Sequence, residues 1–172
     1  MRGFLALAAV QQGYGAMSRL RAVVFGLLAL AILCFIWGQS MLPREASAQE
    51  SSRLVDLLKP ILDPYGRIDD DVFHHYVRKA AHFTEYAAFG FCLAGFLRSL
   101  KPCGKKRYLL LSMLLCVLVA GTDECIQMFS PDRGPKLRDV ALDACGAMFG
   151  ILILLLFVFL IQKCKNQRQP RD

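Results

Sequence analysis

Long apolar runs separated by short polar segments set the pattern of this chain. The apolar residues do not alternate at period 2, nor do they form one stripe at period 3.6. They are continuous over lengths that approach the thickness of a bilayer, which takes about 20 apolar residues per helix to cross. The pattern predicts four transmembrane helices, near residues 22–42, 76–100, 108–129 and 137–161. The first run holds no charged residue and carries Trp37 near its far end, where an interfacial aromatic belongs. The second is clean only in its second half. The third meets Asp123, Glu124 and Gln127 at its end, and the fourth begins with Arg138, Asp139 and Asp143.

The segments between the runs are short, with one exception. Residues 43–75 carry four basic residues and seven acids. Within them Leu54, Val55, Leu57, Leu58, Ile61 and Leu62 recur at helical spacing, interrupted by Pro60 and Pro64. This predicts a short amphipathic helix lying in the membrane interface. In residues 1–18 the apolar stretch from Phe4 to Val10 is too short to span and is followed by Gln11, Gln12 and two glycines. These residues fit either a cleaved signal peptide or a start placed too far upstream, and Met17 followed by Arg19 and Arg21 favours the latter. The mature domain is then residues 19–162, and the polar tail 163–172 is expected to be disordered.

Composition agrees with this division. The chain has 172 residues, of which 55% are hydrophobic, and a mean hydropathy of +0.39. Four spans and their loops use all of it, so the expected fold is an all-α, polytopic four-helix membrane bundle with no separate soluble domain. Net charge is +7, from 21 Lys and Arg against 14 Asp and Glu. In a soluble protein that excess points to nucleic acid; here it reads as topology, and no nucleic-acid partner is expected. Arg98, Lys101, Lys105, Lys106 and Arg107 lie between spans two and three, and Lys163, Lys165, Arg168 and Arg171 lie in the tail. With Arg19 and Arg21 they fall on one side of a four-span chain. The positive-inside rule makes that side cytoplasmic, with both termini inside a cell membrane. The seven cysteines show no metal-type spacing and read as free thiols.

In this topology three helices bring their ionisable residues to one outer depth. Arg78, His82 and Glu85 stand at i, i+4, i+7, and Lys79, His82 and Tyr86 at i, i+3, i+7, so His82 centres the polar face. Asp123, Glu124 and Gln127 join from span three, and Asp139 and Asp143 from span four. Asp139, Asp143, Gly146 and Gly150 share one stripe, on which glycines allow close helix approach. A charge at mid-bilayer costs ~2.5–3.5 kcal/mol on insertion scales, so such residues face the bundle interior and pair. Several uses of the cluster remain open. It is a structural network that fixes helix register. Or it is an outward-facing site in which Arg78, Lys79, Arg133 and Arg138 hold an anion while His82 with Glu85, or Asp123 with Glu124, moves protons. A proton-coupled transporter is a third reading. A metal site is disfavoured by the neighbouring Arg and Lys, and no metal or cofactor is expected.

These residues carry a resemblance. The stretch Arg78-Lys79-Ala80-Ala81-His82-Phe83-Thr84-Glu85-Tyr86, then Asp123-Glu124-Cys125-Ile126-Gln127, then Arg133 with Arg138-Asp139-Val140 and the glycines Gly146 and Gly150, resembles the VanZ-like family of bacterial membrane proteins. The resemblance covers roughly residues 20–162. It implies a polytopic envelope protein and a link to teicoplanin resistance through reduced drug binding at the cell surface. The expected ligand is an anionic envelope lipid or a peptidoglycan precursor. One position departs from the family pattern: Asp143 stands where an Asn is usual. That adds a negative charge and puts in doubt any role requiring a neutral amide there.

Overall fold

The computed structural model describes residues 2–42, 44–100, 104–129 and 136–167. Every regular element is helical: α1 Arg2–Met41, α2 Arg44–Leu62, α3 Asp70–Ser99, α4 Lys105–Gln127 and α5 Leu137–Gln167. Three of them contain segments long and apolar enough to cross a membrane: Met17–Met41, Lys106–Gln127 and Leu137–Gln167. α3 does not qualify on composition, because its first half carries Arg78, Lys79, His82 and Glu85.

The packing explains how a helix this polar is accommodated. α3 is the central element and contacts each of the other four helices. The core joins Ala29 and Ile36 of α1, Tyr86, Phe89 and Cys92 of α3, Cys116 and Ala120 of α4 and Ala147 of α5. Most of these side chains are small, so the helices approach closely, as dispersion-driven packing in lipid requires. The outward faces are apolar instead. Leu27 and Leu30 on α1, Leu114 and Leu118 on α4, and Leu156, Phe157 and Phe159 on α5 are all more than half exposed. Apolar surface on this scale is incompatible with water and fits a lipid environment.

α3 and α5 make the tightest crossing. A Cβ added at Gly146 would overlap the backbone of Phe83, one at Gly150 that of Ala87, and one at Gly90 that of Ala147. The stripe predicted on span four therefore packs within the chain. It also fixes direction. The pairs 83/146 and 87/150 advance together, so α3 and α5 run parallel. Gly26 abuts Phe96 while Gly95 abuts Phe25, and Tyr86 and Phe89 cluster with Ile36 and Ala29, so α1 and α3 run antiparallel.

Several boundaries differ from the sequence reading. α1 begins at Arg2, so residues 2–18 continue the helix of the first span. α3 begins at Asp70 rather than near residue 76. Asp69 caps it by accepting a hydrogen bond from the Asp71 amide at 3.0 Å, and Asp70 and Asp71 occupy the positive end of the helix dipole. Pro60 does not interrupt α2, which runs to Leu62. Pro60 sits in the last turn, where its missing N–H forfeits one bond, and the Asp63 amide still donates to the Lys59 carbonyl at 2.8 Å. α5 continues through Lys163 to Gln167 with exposed side chains, into the tail expected to be disordered. Residues 168–172 lie outside the described residues.

α2 docks on α3 through Val55, Phe73 and Val77, with Leu58 against them. The turn between the two helices is held by Asp63. Its two carboxylate oxygens accept from the amides of Arg67 at 2.9 Å and Ile68 at 2.8 Å. Gly66 supplies the left-handed conformation there, at φ 59°.

Candidate functional site

The polar layer lies where the C-terminal ends of α1 and α4 meet the N-terminal parts of α3 and α5. Asp123 is fully buried on α4. It accepts hydrogen bonds from the Ser40 hydroxyl of α1 at 2.6 Å and from Gln127 Nε2 at 2.9 Å. One α-turn separates Asp123 from Gln127, which is why the amide reaches back to the carboxylate. Glu124, its neighbour on the helix, faces the connection to α5. Its Oε2 accepts from the Lys136 amide at 2.8 Å, satisfying a donor just before the first turn of α5. Lys79 of α3 is ion-paired with Asp139 of α5, and both are largely buried.

On α3, His82 Nδ1 lies 3.6 Å from Glu85 Oε2, three residues along the helix. That is within ion-pair range but too long for a hydrogen bond. Tyr86 is fully buried beside them. Asp143 of α5 is also buried. It lies within electrostatic reach of Lys79, Asp123, Asp139 and Glu124. Tyr86 in turn is within reach of Asp123, Asp143 and Glu85.

Most of the predicted site residues are thus brought together by four helices. The cationic side of the prediction is less complete. Arg78 is half-buried on α3, Arg138 is exposed on the first turn of α5, and Lys79 is committed to Asp139. Arg133 lies outside the described residues, as does most of the loop that carries it. The described layer is therefore richer in carboxylates, from Glu85, Asp123, Glu124, Asp139 and Asp143, than in cations. Among the described residues no group of three or more His, Cys, Asp or Glu is arranged to hold a metal ion. Ser40 was missed by sequence reasoning. The signal available for it was the polar triplet Gly38-Gln39-Ser40 closing an otherwise apolar run.

The layer is only partly satisfied. Oε2 of Glu85, the hydroxyl of Tyr86 and Oε1 of Glu124 are buried and have no hydrogen-bond partner among the described residues. Leaving such an atom unpaired costs about 1–3 kcal/mol.

A family model described as VanZ/LLP1 matches residues 25–159. The chain belongs to the VanZ/LLP1 family. The match contains every residue of the polar layer. No curated protein and no solved structure matches the chain. As a VanZ/LLP1 member with three membrane-length apolar helices, the protein is a membrane protein, and the buried Asp123, Glu124 and Asp143 lie together at one end of the bundle.

Proposed function

We propose that this VanZ/LLP1 protein binds the polar head of an anionic cell-envelope component in an outward-facing chamber formed by the polar layer. The observation that carries this reading is the incomplete hydrogen bonding of the layer: among the described residues the buried Tyr86 hydroxyl and Glu124 Oε1 have no hydrogen-bond partner, and Glu85 Oε2 has only the His82 ring at 3.6 Å. A layer that served only to fix helix register would pair its members, because a half-satisfied buried network is worse than an apolar one. The open acceptors and the tyrosine hydroxyl suit the hydroxyl or amine groups of a head. Arg78 and Arg138, with Arg133, are the cations left for its phosphate or carboxylate. His82 beside Glu85 adds an imidazole, a group suited to proton transfer. In this reading α3 is a fourth span, and the chamber opens away from the basic connection between α3 and α4, on the extracytoplasmic side.

A structural role is favoured by a different observation: Ser40–Asp123, Lys79–Asp139 and Glu124–Lys136 tie α1, α3, α4 and α5 together. The two readings separate in one experiment. The protein is purified from membranes and examined by native mass spectrometry for a co-purifying anionic lipid or lipid-linked precursor. His82→Gln and Glu85→Gln are expected to leave membrane abundance near wild type and to remove the co-purifying species. Abundance falling in step with the bound species would make the layer a girder. A link to glycopeptides follows if the bound component is a drug-binding surface group. Teicoplanin susceptibility of cells carrying the wild type would then differ from that of cells carrying Glu85→Gln.

A further inference from the structure

A groove of about 820 Å³ runs between α1, α2 and α3, beside the polar layer. Ile32 and Phe35 of α1 form one wall, and Leu54 and Leu58 of α2 form another. Its floor is a row of small residues on α3, Ala80, Thr84 and Ala88, spaced at i, i+4, i+8 and all exposed. The Thr84 hydroxyl donates to the Ala80 carbonyl at 2.8 Å. Its polarity is therefore spent on its own helix, and the floor is effectively apolar. Among the described residues no Lys or Arg lines the groove, and the one carboxylate is that of Glu85. Glu85 belongs to the polar layer as well, and its buried Oε2 accepts no hydrogen bond among the described residues, with only the His82 ring near it at 3.6 Å.

We propose that this groove seats one hydrocarbon chain of a membrane lipid whose polar head lies in the layer at Glu85. The inference rests on the headgroup reading above and names the class of molecule involved: a phosphate-bearing, hydroxylated amphiphile rather than a soluble anion. Three features select a lipid chain over a second copy of the protein. The volume would hold roughly two turns of helix at the diameter and pitch of an α-helix, too little for a spanning segment, whereas it falls within the ~300–1,000 Å³ of small-ligand sites. The groove is bordered by exposed apolar residues, Phe35, Leu62 and Tyr76, so lipid enters it sideways without crossing polar surface. It is also continuous with the polar layer through a single residue, which matches the junction between a chain and its head.

The test uses the full chain in nanodiscs containing phosphatidylglycerol with a photoreactive diazirine in mid-acyl chain. Adducts are expected to concentrate at residues 54–62 and 80–88, with few on the outward face of α5 at residues 152–160. A88W and, independently, I32W fill the groove and should remove most of these adducts. Glycerol 3-phosphate, a head without a chain, is expected to raise the Tm of wild type and of A88W but not of Glu85→Gln. Labelling spread evenly over the groove and α5 overturns the groove proposal, and a persisting glycerol phosphate response then leaves the headgroup reading standing. Groove labelling without any glycerol phosphate response overturns both, since the chain would bind without its head. Cross-links to a second copy of the protein in place of lipid also overturn the proposal.

Discussion

Ser40 sits near the end of an apolar helix, yet its hydroxyl is the α1 contribution to the polar layer. It is fully buried and donates to Asp123 at 2.6 Å, and Gln127 Nε2 approaches it at 3.4 Å. Asp123 is an ionisable group with no exposure, so each hydrogen bond to it replaces water that cannot enter. Ser40→Ala is expected to lower stability by about 1–3 kcal/mol, the cost of leaving a buried acceptor short of a donor. Thermal unfolding in detergent measures this, and an unchanged Tm would show that the other partners of Asp123, Gln127 among them, suffice. The carboxylates and His82 were legible in the sequence because charge inside an apolar run is expensive and therefore conspicuous. Ser40 was not, because a serine in a span costs little and becomes important only through the face that α1 turns toward α4. The pairing itself was legible only as a requirement: Lys79 needed a carboxylate, but the choice of Asp139 over Asp143 depends on where α5 crosses α3.

At the scale of elements, the α3–α5 crossing is set by glycines. A side chain at Gly150 would meet the backbone carbonyl of Ala87, which cannot rotate away as a side chain would, so the helices must separate. Gly121 on α4 has nothing within 4 Å of the same position. Gly150→Ala is therefore expected to destabilise by about 1–3 kcal/mol, as overpacking does. Gly121→Ala should be neutral or stabilising, because alanine is favoured over glycine in a helix by about 1 kcal/mol. Tm values for the two variants, measured side by side, test the contrast. The turn between α2 and α3 depends on a carboxylate instead. Backbone hydrogen bonds from Ile68 and Arg67 hold the Asp63 carboxyl below its ordinary value of 3.8. A depressed carboxyl contributes stability that is present above that ordinary value and lost as pH falls through the lowered one. Amide exchange at Arg67 and Ile68, corrected for its intrinsic pH dependence, should stay protected at pH 6, begin to rise as the pH falls past 3.8 and be fully open only below the lowered value. Asp63→Ala should open both amides at every pH. The existence of α2 was readable from the spacing of its leucines. Its passage through Pro60 was not, since a proline in the last turn of a helix looks the same in sequence as one that ends it.

For the whole molecule, the long apolar runs made the fold class legible, and the outstanding matter is how many times the chain crosses. By composition three helices qualify, and α3 does not. The fourth crossing, by α3, is part of the proposal above, and the packing of α3 is what supports it. This helix packs antiparallel to α1 from Phe25 and Gly26, beside Gly95 and Phe96, to Ile36, beside Tyr86. It runs parallel to α5 through the glycine crossing and on to Ala94, which clusters with Ile151 and Leu154. A helix flanked over that length by membrane-length neighbours is expected at the same depth as they are. In the proposed four-span arrangement Asp139 and the rest of the layer shield its charges from lipid, which hydropathy along the chain does not register. The expected outcome is that a reporter fused at Gly104 reads cytoplasmic while one inserted at Gly66 reads extracytoplasmic. Equal readings at the two positions would mean that α3 enters and leaves on one side. A second consequence distinguishes shielding from intrinsic insertion. With α5 deleted, Lys79 loses its partner and the glycine crossing is gone, so the Gly104 reporter should lose its cytoplasmic signal. If α3 instead crosses unaided, the reading at Gly104 would be the same with or without α5.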